Sequence, residues 1–130
     1  ELDFPVLEYS YKDDALGDPL INSDHAVIMG LATREELARI NEISYAVNRL
    51  LCTYLRDLGI ILVDFKLEFG RYHGEVMLGD EISPDTCRFW DSSTGSRLDK
   101  DRFRLDLGGV SEAYREIWRR LSRESNQVTE

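Results

Sequence analysis

The spacing of hydrophobic positions changes period twice along this chain. Leu37, Ile40, Ser44, Val47, Leu51, Tyr54, Leu55 and Leu58 recur at helical spacing. Thr33 followed three residues later by Glu36 fits a capping box, in which hydroxyl and carboxylate satisfy backbone donors that the first turn leaves free. The pattern predicts a helix from about Arg34 to Leu58, with Gly59 as its terminator. From Ile60 to Phe69 the period falls to two. Ile61, Val63, Phe65, Leu67 and Phe69 alternate with Leu62, Asp64, Lys66 and Glu68, which predicts a strand that buries the first set. A turn near His73-Gly74 returns the chain into Val76-Met77-Leu78 and makes a β-hairpin. Helical spacing resumes after Gly108-Gly109, where Val110, Ala113, Tyr114, Ile117, Trp118 and Leu121 form the inner face of a second helix.

The remaining segments carry turn chemistry. Residues 1–32 are loop-rich, with Lys12-Asp13-Asp14 and Gly17-Asp18-Pro19 as turns and a short strand expected among Val6, Leu7, Tyr9 and Tyr11. Residues 82–100 read as a polar loop, and the tail over 124–130 as polar and disordered. The sum is one α+β domain over 1–130, an antiparallel sheet with two flanking helices. A length of 130 residues can bury a real core.

Charge narrows the partners. A net charge of −9 and a pI near 4.7 leave no wide basic surface for a nucleic-acid backbone. Small anions remain acceptable ligands, because local arginines and a bound divalent cation outweigh a global charge. Cys52 and Cys87 lack zinc-site spacing; Cys52 reads as core and Cys87 as a free thiol in a polar loop, which suits a reducing, cytoplasmic compartment. No stretch approaches the roughly 18 apolar residues of a membrane span. The opening Glu1-Leu2-Asp3-Phe4-Pro5 carries neither methionine nor a signal peptide, and the chain is expected to be part of a longer polypeptide.

Candidate chemistry concentrates in three places. Asp64, Lys66 and Glu68 stand at i, i+2 and i+4 on one strand face, roughly 6.5–7 Å apart at the usual strand rise. A solvated outer sheet face explains that alternation as well as a magnesium–phosphate site does. Hairpin register decides whether Asp80 joins Glu68. A three-residue loop or a bulge sets residue 68 opposite 80, whereas a two-residue loop at His73-Gly74 pairs Glu68 with Gly79. The second place is Asp80-Glu81-Ile82-Ser83-Pro84-Asp85-Thr86-Cys87-Arg88-Phe89-Trp90-Asp91, where arginine offers a bidentate fork to phosphate or carboxylate; a surface loop with local salt bridges is the alternative. The third is Lys100-Asp101-Arg102-Phe103-Arg104, which as a bare charge run is a solvated helix start. His25 and His73 form no metal or triad pattern, and no P-loop, GxGxxG or nucleophile elbow is present.

Leu62-Val63-Asp64-Phe65-Lys66-Leu67-Glu68-Phe69-Gly70 closely resembles the signature strand of the SAICAR synthetase family. Leu78-Gly79-Asp80-Glu81-Ile82-Ser83-Pro84-Asp85, Arg88-Phe89-Trp90-Asp91 and Leu98-Asp99-Lys100-Asp101-Arg102-Phe103-Arg104 are similar to its later blocks, in order. Tyr11-Lys12-Asp13-Asp14, Asp18-Pro19 and Asn22 resemble the segment before its long helix. The resemblance implies the C-terminal lobe of a two-lobed, ATP-grasp-like and kinase-like fold, without the N-terminal lobe and its phosphate loop. It implies an ATP-dependent ligase of purine synthesis that joins L-aspartate to carboxyaminoimidazole ribonucleotide (CAIR) through an acyl phosphate. By the same resemblance Glu68 and Asp80 hold Mg2+ at the ATP phosphates, Lys66 contacts nucleotide or phosphate, and Asp64 positions substrate or metal. Asp85, Arg88, Lys100 and Arg104 line the imidazole nucleotide, and Lys12 and Asp18 border the cleft. The whole enzyme is expected to be a cytoplasmic homo-oligomer. A non-catalytic nucleotide-binding module and a purely structural acidic domain are the rival readings.

Overall fold

The computed structural model describes residues 2–125. In chain order it contains β1 (Tyr9–Ser10), β2 (Leu20–Ile21), α1 (Ser23–Ile28), α2 (Arg34–Asp57), β3 (Ile60–Phe65), β4 (Glu68–Tyr72), β5 (Glu75–Asp80), β6 (Cys87–Asp91), α3 (Asp101–Arg104) and α4 (Val110–Ser125). All pairing among these strands is antiparallel, in the couples β1–β2, β3–β6 and β4–β5.

The predicted long helix forms as expected. The Thr33 hydroxyl accepts from the Glu36 N–H at 3.1 Å, and the Glu36 carboxylate accepts from the Thr33 N–H at 2.7 Å. Leu58 is the cap, and Gly59 leaves the helix at φ +69°. One core cluster joins Leu55 of α2, Ile60 of β3, Cys87 and Phe89 of β6, Leu98, and Ala113 and Ile117 of α4. Burying each of the larger apolar side chains contributes about 1.5–3 kcal/mol.

The strand after Gly59 departs from its predicted alternation. β3 pairs with β6 through Ile60↔Asp91, Ile61↔Trp90 and Leu62↔Phe89, then slips to Asp64↔Arg88 and Phe65↔Cys87. The strand enters with Ile60 and Leu62 inward, and the bulge leaves Val63 unpaired and shifts the phase so that Phe65 also turns inward. Leu62 and Phe65 pack on the core beside Ile60, while Ile61 and Val63, expected to be buried, are 46% and 42% exposed. The strand also stops at Phe65, so Asp64, Lys66 and Glu68 do not lie along one uninterrupted strand as predicted. The Lys66 N–H donates to the Thr86 carbonyl at 2.9 Å, and a new strand starts at Glu68.

The hairpin resolves its two alternatives by combining them. Its loop has two residues, His73 and Gly74, at φ +50° and +84°, and Tyr72 pairs with Glu75. A second bulge between Glu68 and Phe69 shifts the register from Phe69↔Leu78 to Glu68↔Asp80. Asp80 therefore becomes the cross-strand partner of Glu68 despite the short loop.

Two further expectations change. Residues 82–100 are not wholly loop, because Cys87–Asp91 form β6 with Cys87, Phe89 and Asp91 buried on one face. Cys87 is thus a core residue rather than a loop thiol. Trp118, expected on the inner face of α4, is 73% exposed. It follows the buried Ile117 by one position, a rotation of about 100° that carries it off the buried stripe. α4 runs to Ser125, and the rest of the disordered tail expected over 124–130 lies outside the described residues.

Candidate functional site

Two ionic clusters gather the residues singled out from the sequence. The first sits at the open end of the β4–β5 hairpin. Glu68 begins β4, and its carboxylate is gripped by Lys12 Nζ at 2.5 Å and by Lys66 Nζ at 3.0 Å. Lys12 arrives from the N-terminal turn, which Asp18 shapes by accepting the Asp13 N–H at 2.9 Å. The Lys12 and Lys66 ammonium groups hold the Glu68 carboxyl below its usual range, and Glu68 in turn raises both lysines. The negative charge of Asp18 acts on both lysines as well.

Asp80 closes β5 opposite Glu68 and accepts the Glu81 N–H at 2.8 Å. Immediately beyond it, Glu81 and Ile82 have φ of +97° and +108°. Non-glycine residues rarely adopt that backbone, and such strain concentrates at functional segments. Among the described residues no group of three or more His, Cys, Asp or Glu side chains could cage a metal. Two carboxylate residues paired across the strands, with the remaining positions left to water and phosphate oxygens, match the donor set by which Mg2+ is held beside a nucleotide. Glu68 and Asp80 fit a nucleotide-borne Mg2+ on that ground.

The second cluster is built on β6 and α3. Alternation along β6 turns Phe89 inward and Arg88 toward the opposite face, beside its register partner Asp64. The Arg88 NH1 donates to Asp64, and its Nε donates to Asp101 Oδ2 at 2.9 Å. Asp101 also receives Arg104 NH1 at 3.1 Å through its other oxygen. Burial works to raise the Asp101 carboxyl, but the Arg104 and Arg88 guanidiniums outweigh it and leave it lowered. Lys100 stands at the start of α3, its N–H donating to the Pro84 carbonyl at 3.0 Å. Asp85 accepts the Tyr114 hydroxyl of α4 at 2.6 Å, and burial together with Asp85 pushes that phenol up.

The structure thus joins Lys12, Lys66 and Glu68, with Asp80 opposite, and separately joins Asp64, Arg88 and Arg104. Among the described residues no salt bridge links the two clusters, although the Lys66–Thr86 backbone bond joins the segment between β3 and β4 to the residue before β6. Sequence reasoning passed over Asp99, Asp101 and Tyr114. Asp101 was one more charge in a run, Asp99 looked like loop, and Tyr114 belonged to a helical stripe.

A family model described as SAICAR synthetase matches residues 1–121. The phosphoribosylaminoimidazole-succinocarboxamide synthase of Lachnoclostridium phytofermentans is 58% identical over 117 residues, covering 90% of this chain and 50% of that protein. The protein of the same name from Clostridium perfringens strain 13 is 60% identical over 121 residues, covering 93% and 52%. Among solved structures, a type-2 SAICAR synthetase in complex with ADP superposes with a TM-score of 0.88 at 54% identity, over 92% of this chain and 52% of that one. The type-1 crystal structure of the enzyme from Pyrococcus horikoshii OT3 gives a TM-score of 0.90 at 52% identity, over 94% and 53%. The chain spans about half the length of the relatives it matches.

Proposed function

The chain belongs to the SAICAR synthetase family, and we propose that it forms the C-terminal lobe of an ATP-dependent ligase joining L-aspartate to CAIR. In the proposed reaction a carboxylate oxygen of CAIR attacks the γ-phosphorus of ATP, and ADP leaves with the electrons of the broken P–O bond. The aspartate amine, with its proton removed, then attacks the acyl carbon; phosphate departs and the amide of SAICAR remains.

This chain's residues divide the work by charge. Lys66 and Lys12 would supply cations to the polyphosphate oxygens, and stabilising the charge of the transferring group is the main demand of phosphoryl transfer. Glu68 and Asp80 would hold Mg2+, which supplies further neutralisation of the phosphates when bound. Asp64, Asp85, Arg88, Lys100 and Arg104 serve the imidazole nucleotide, with Asp18 shaping the turn that carries Lys12. The N-terminal half found in the longer relatives would complete the nucleotide cleft. We place the enzyme in the cytoplasm as a homo-oligomer; both cysteines are free, which suits a reducing compartment.

One observation carries the reading: a bulge sets Glu68 opposite Asp80 and leaves Glu68 between two lysines, next to a strained backbone. The test is product formation from ATP, L-aspartate and CAIR by the complete polypeptide, beside Glu68→Gln and Asp80→Asn. Residues 1–130 alone are expected to form no product. Undiminished turnover in both variants would overturn the assignment.

A further inference from the structure

Arg88 is held by two carboxylates of very different character. Asp101 is 8% exposed, and its oxygens are divided between Arg88 Nε and Arg104 NH1. Its own N–H donates to Asp99 Oδ1 at 2.8 Å. Asp99 is 0% exposed, and its Oδ2 accepts the N–H of Phe89, the residue after Arg88, at 2.7 Å. One buried carboxylate therefore fixes the backbone on both sides of the Arg88–Asp101 pair. Asp64 is the opposite case: its side chain is 54% exposed, and it meets Arg88 from a bulged stretch of β3.

A guanidinium has five N–H donors in one plane. Holding its Nε sets the orientation of that plane and leaves the NH1–NH2 edge as a fork for a planar oxyanion. Asp64 occupies the NH1 side of that edge. A carboxylate or phosphate arriving there exchanges one anion for another, so the arginine keeps a partner throughout. Asp101 cannot be exchanged in this way, because leaving would strand two arginines and open a buried site.

We infer that Asp99 and Asp101 are positioning residues of an oxyanion site formed by Arg88 and Arg104, and that Asp64 is its exchangeable counter-ion. The incoming group is a phosphate or carboxylate of the imidazole nucleotide. That substrate assignment rests on the function proposed above; the division of roles among the three acids does not. The division also predicts effects of opposite sign, which a purely structural role would not produce.

The test is the dissociation constant of the complete polypeptide for CAIR and for ribose 5-phosphate, a phosphate-only probe, with ADP as the control ligand. Asp101→Asn is expected to weaken oxyanion binding about tenfold, the scale of one charge-assisted contact. Asp64→Asn is expected to tighten it severalfold, and ADP binding should hold within about twofold in both variants. Asp99→Asn should follow Asp101→Asn. If it does not fold, the Arg88 Nε–H resonance provides a second readout: protected from exchange in the wild type and lost in Asp101→Asn. An effect on ribose 5-phosphate locates the phosphate at Arg88, an effect on CAIR alone locates the carboxylate there, and both support the site. Equal shifts in the same direction for Asp64→Asn and Asp101→Asn would overturn the inference, as would unchanged oxyanion binding in Asp101→Asn. A wild type that forms no product defeats the functional reading instead, and the opposite-sign result with ribose 5-phosphate would still stand.

Discussion

The hairpin mouth and the β6–α3 corner both pair acidic with basic side chains, to opposite physical ends. At the hairpin mouth, Glu68 meets two exposed lysines with no buried group among the described residues ordering them, and Asp80 closes a strand with strained backbone beyond it. At the corner, the arginines are ordered by Asp101, which is ordered by Asp99, and Asp99 touches no solvent at all. Exposed ion pairs contribute about 0–1 kcal/mol each, because water screens them and long side chains lose freedom in forming them. A buried carboxylate that accepts two backbone N–H groups is a fixed point, since removing it strands donors that water cannot reach. The first region is free to rearrange around an incoming ligand. The second presents a preformed fork.

The largest expected effect breaks that contrast at its anchor. Asp99→Ala leaves the Phe89 and Asp101 N–H groups buried without an acceptor, at about 1–3 kcal/mol per group. Urea denaturation of the complete polypeptide should show a lower midpoint at unchanged m-value. Glu68→Gln, measured alongside, should shift stability by less than about 1 kcal/mol. Equal destabilisation by the two substitutions would erase the distinction.

Next in size is the fork itself. Arg88→Lys keeps the charge but loses the planar donor array. The KM for CAIR should rise about ten- to a hundredfold, the equivalent of about 1.5–3 kcal/mol, with the KM for ATP little changed. A lowered melting temperature with unaltered KM in the folded fraction would make Arg88 a scaffold residue. For the hairpin mouth the expectation runs the other way. Glu68→Gln should weaken Mg2+-dependent nucleotide binding about tenfold and leave the KM for CAIR within about twofold. Titrating ADP with and without Mg2+ separates a metal contact from a direct one.

The contrast between the regions also explains what the sequence could and could not disclose. The α2 boundaries, the Thr33–Glu36 box, the Gly59 stop and the His73-Gly74 turn are local devices, each satisfied within a few residues, and all were legible. The bulges at Val63 and at Glu68–Phe69 were not, because a bulge answers to the partner strand. The first leaves Val63 unpaired and outward and puts Phe65 on the same side as Ile60 and Leu62, so no single alternation runs through the strand. β6 was hidden because its inward positions are Cys87, Phe89 and Asp91, and a buried aspartate looks polar in a sequence. Asp91 is inside because it receives the Ser93 hydroxyl, the Arg120 guanidinium and the Thr94 N–H, which together hold its carboxyl far below the usual range. Asp64, Lys66, Glu68, Asp80 and Arg88 were singled out by their motifs, with spacing alone leaving a solvated face as an equal reading. Recognising Asp99 and Asp101 needed α3 to fold back on β6.

The smallest expected effect is acid loosening of the hairpin, and it tests which region yields first. Arg71 of β4 is the hairpin's tie to α2: its guanidinium donates to both Glu36 oxygens and to the Leu31 carbonyl, the last at 2.9 Å. Glu36 thus serves the Thr33 cap and the hairpin at once. Arg71 first, and the Thr33 N–H second, lower its carboxyl from 4.5 to about 2. For a lowered carboxylate the sign is set: unfolding or undocking takes up a proton, so the stabilisation is complete above pH 4.5 and disappears as the pH falls toward 2. Asp91, which ties β6 to α4 through Arg120, is held lower still and should keep its contacts further into acid. Amide exchange between pH 5 and 2.5 should therefore show Phe69–Tyr72 losing protection before Cys87–Asp91. Arg71→Gln should remove most of that pH dependence, because Glu36 then keeps only its contact to Thr33. Simultaneous loss of protection in both strands would mean that the hairpin is no more adaptable than the β6 strand.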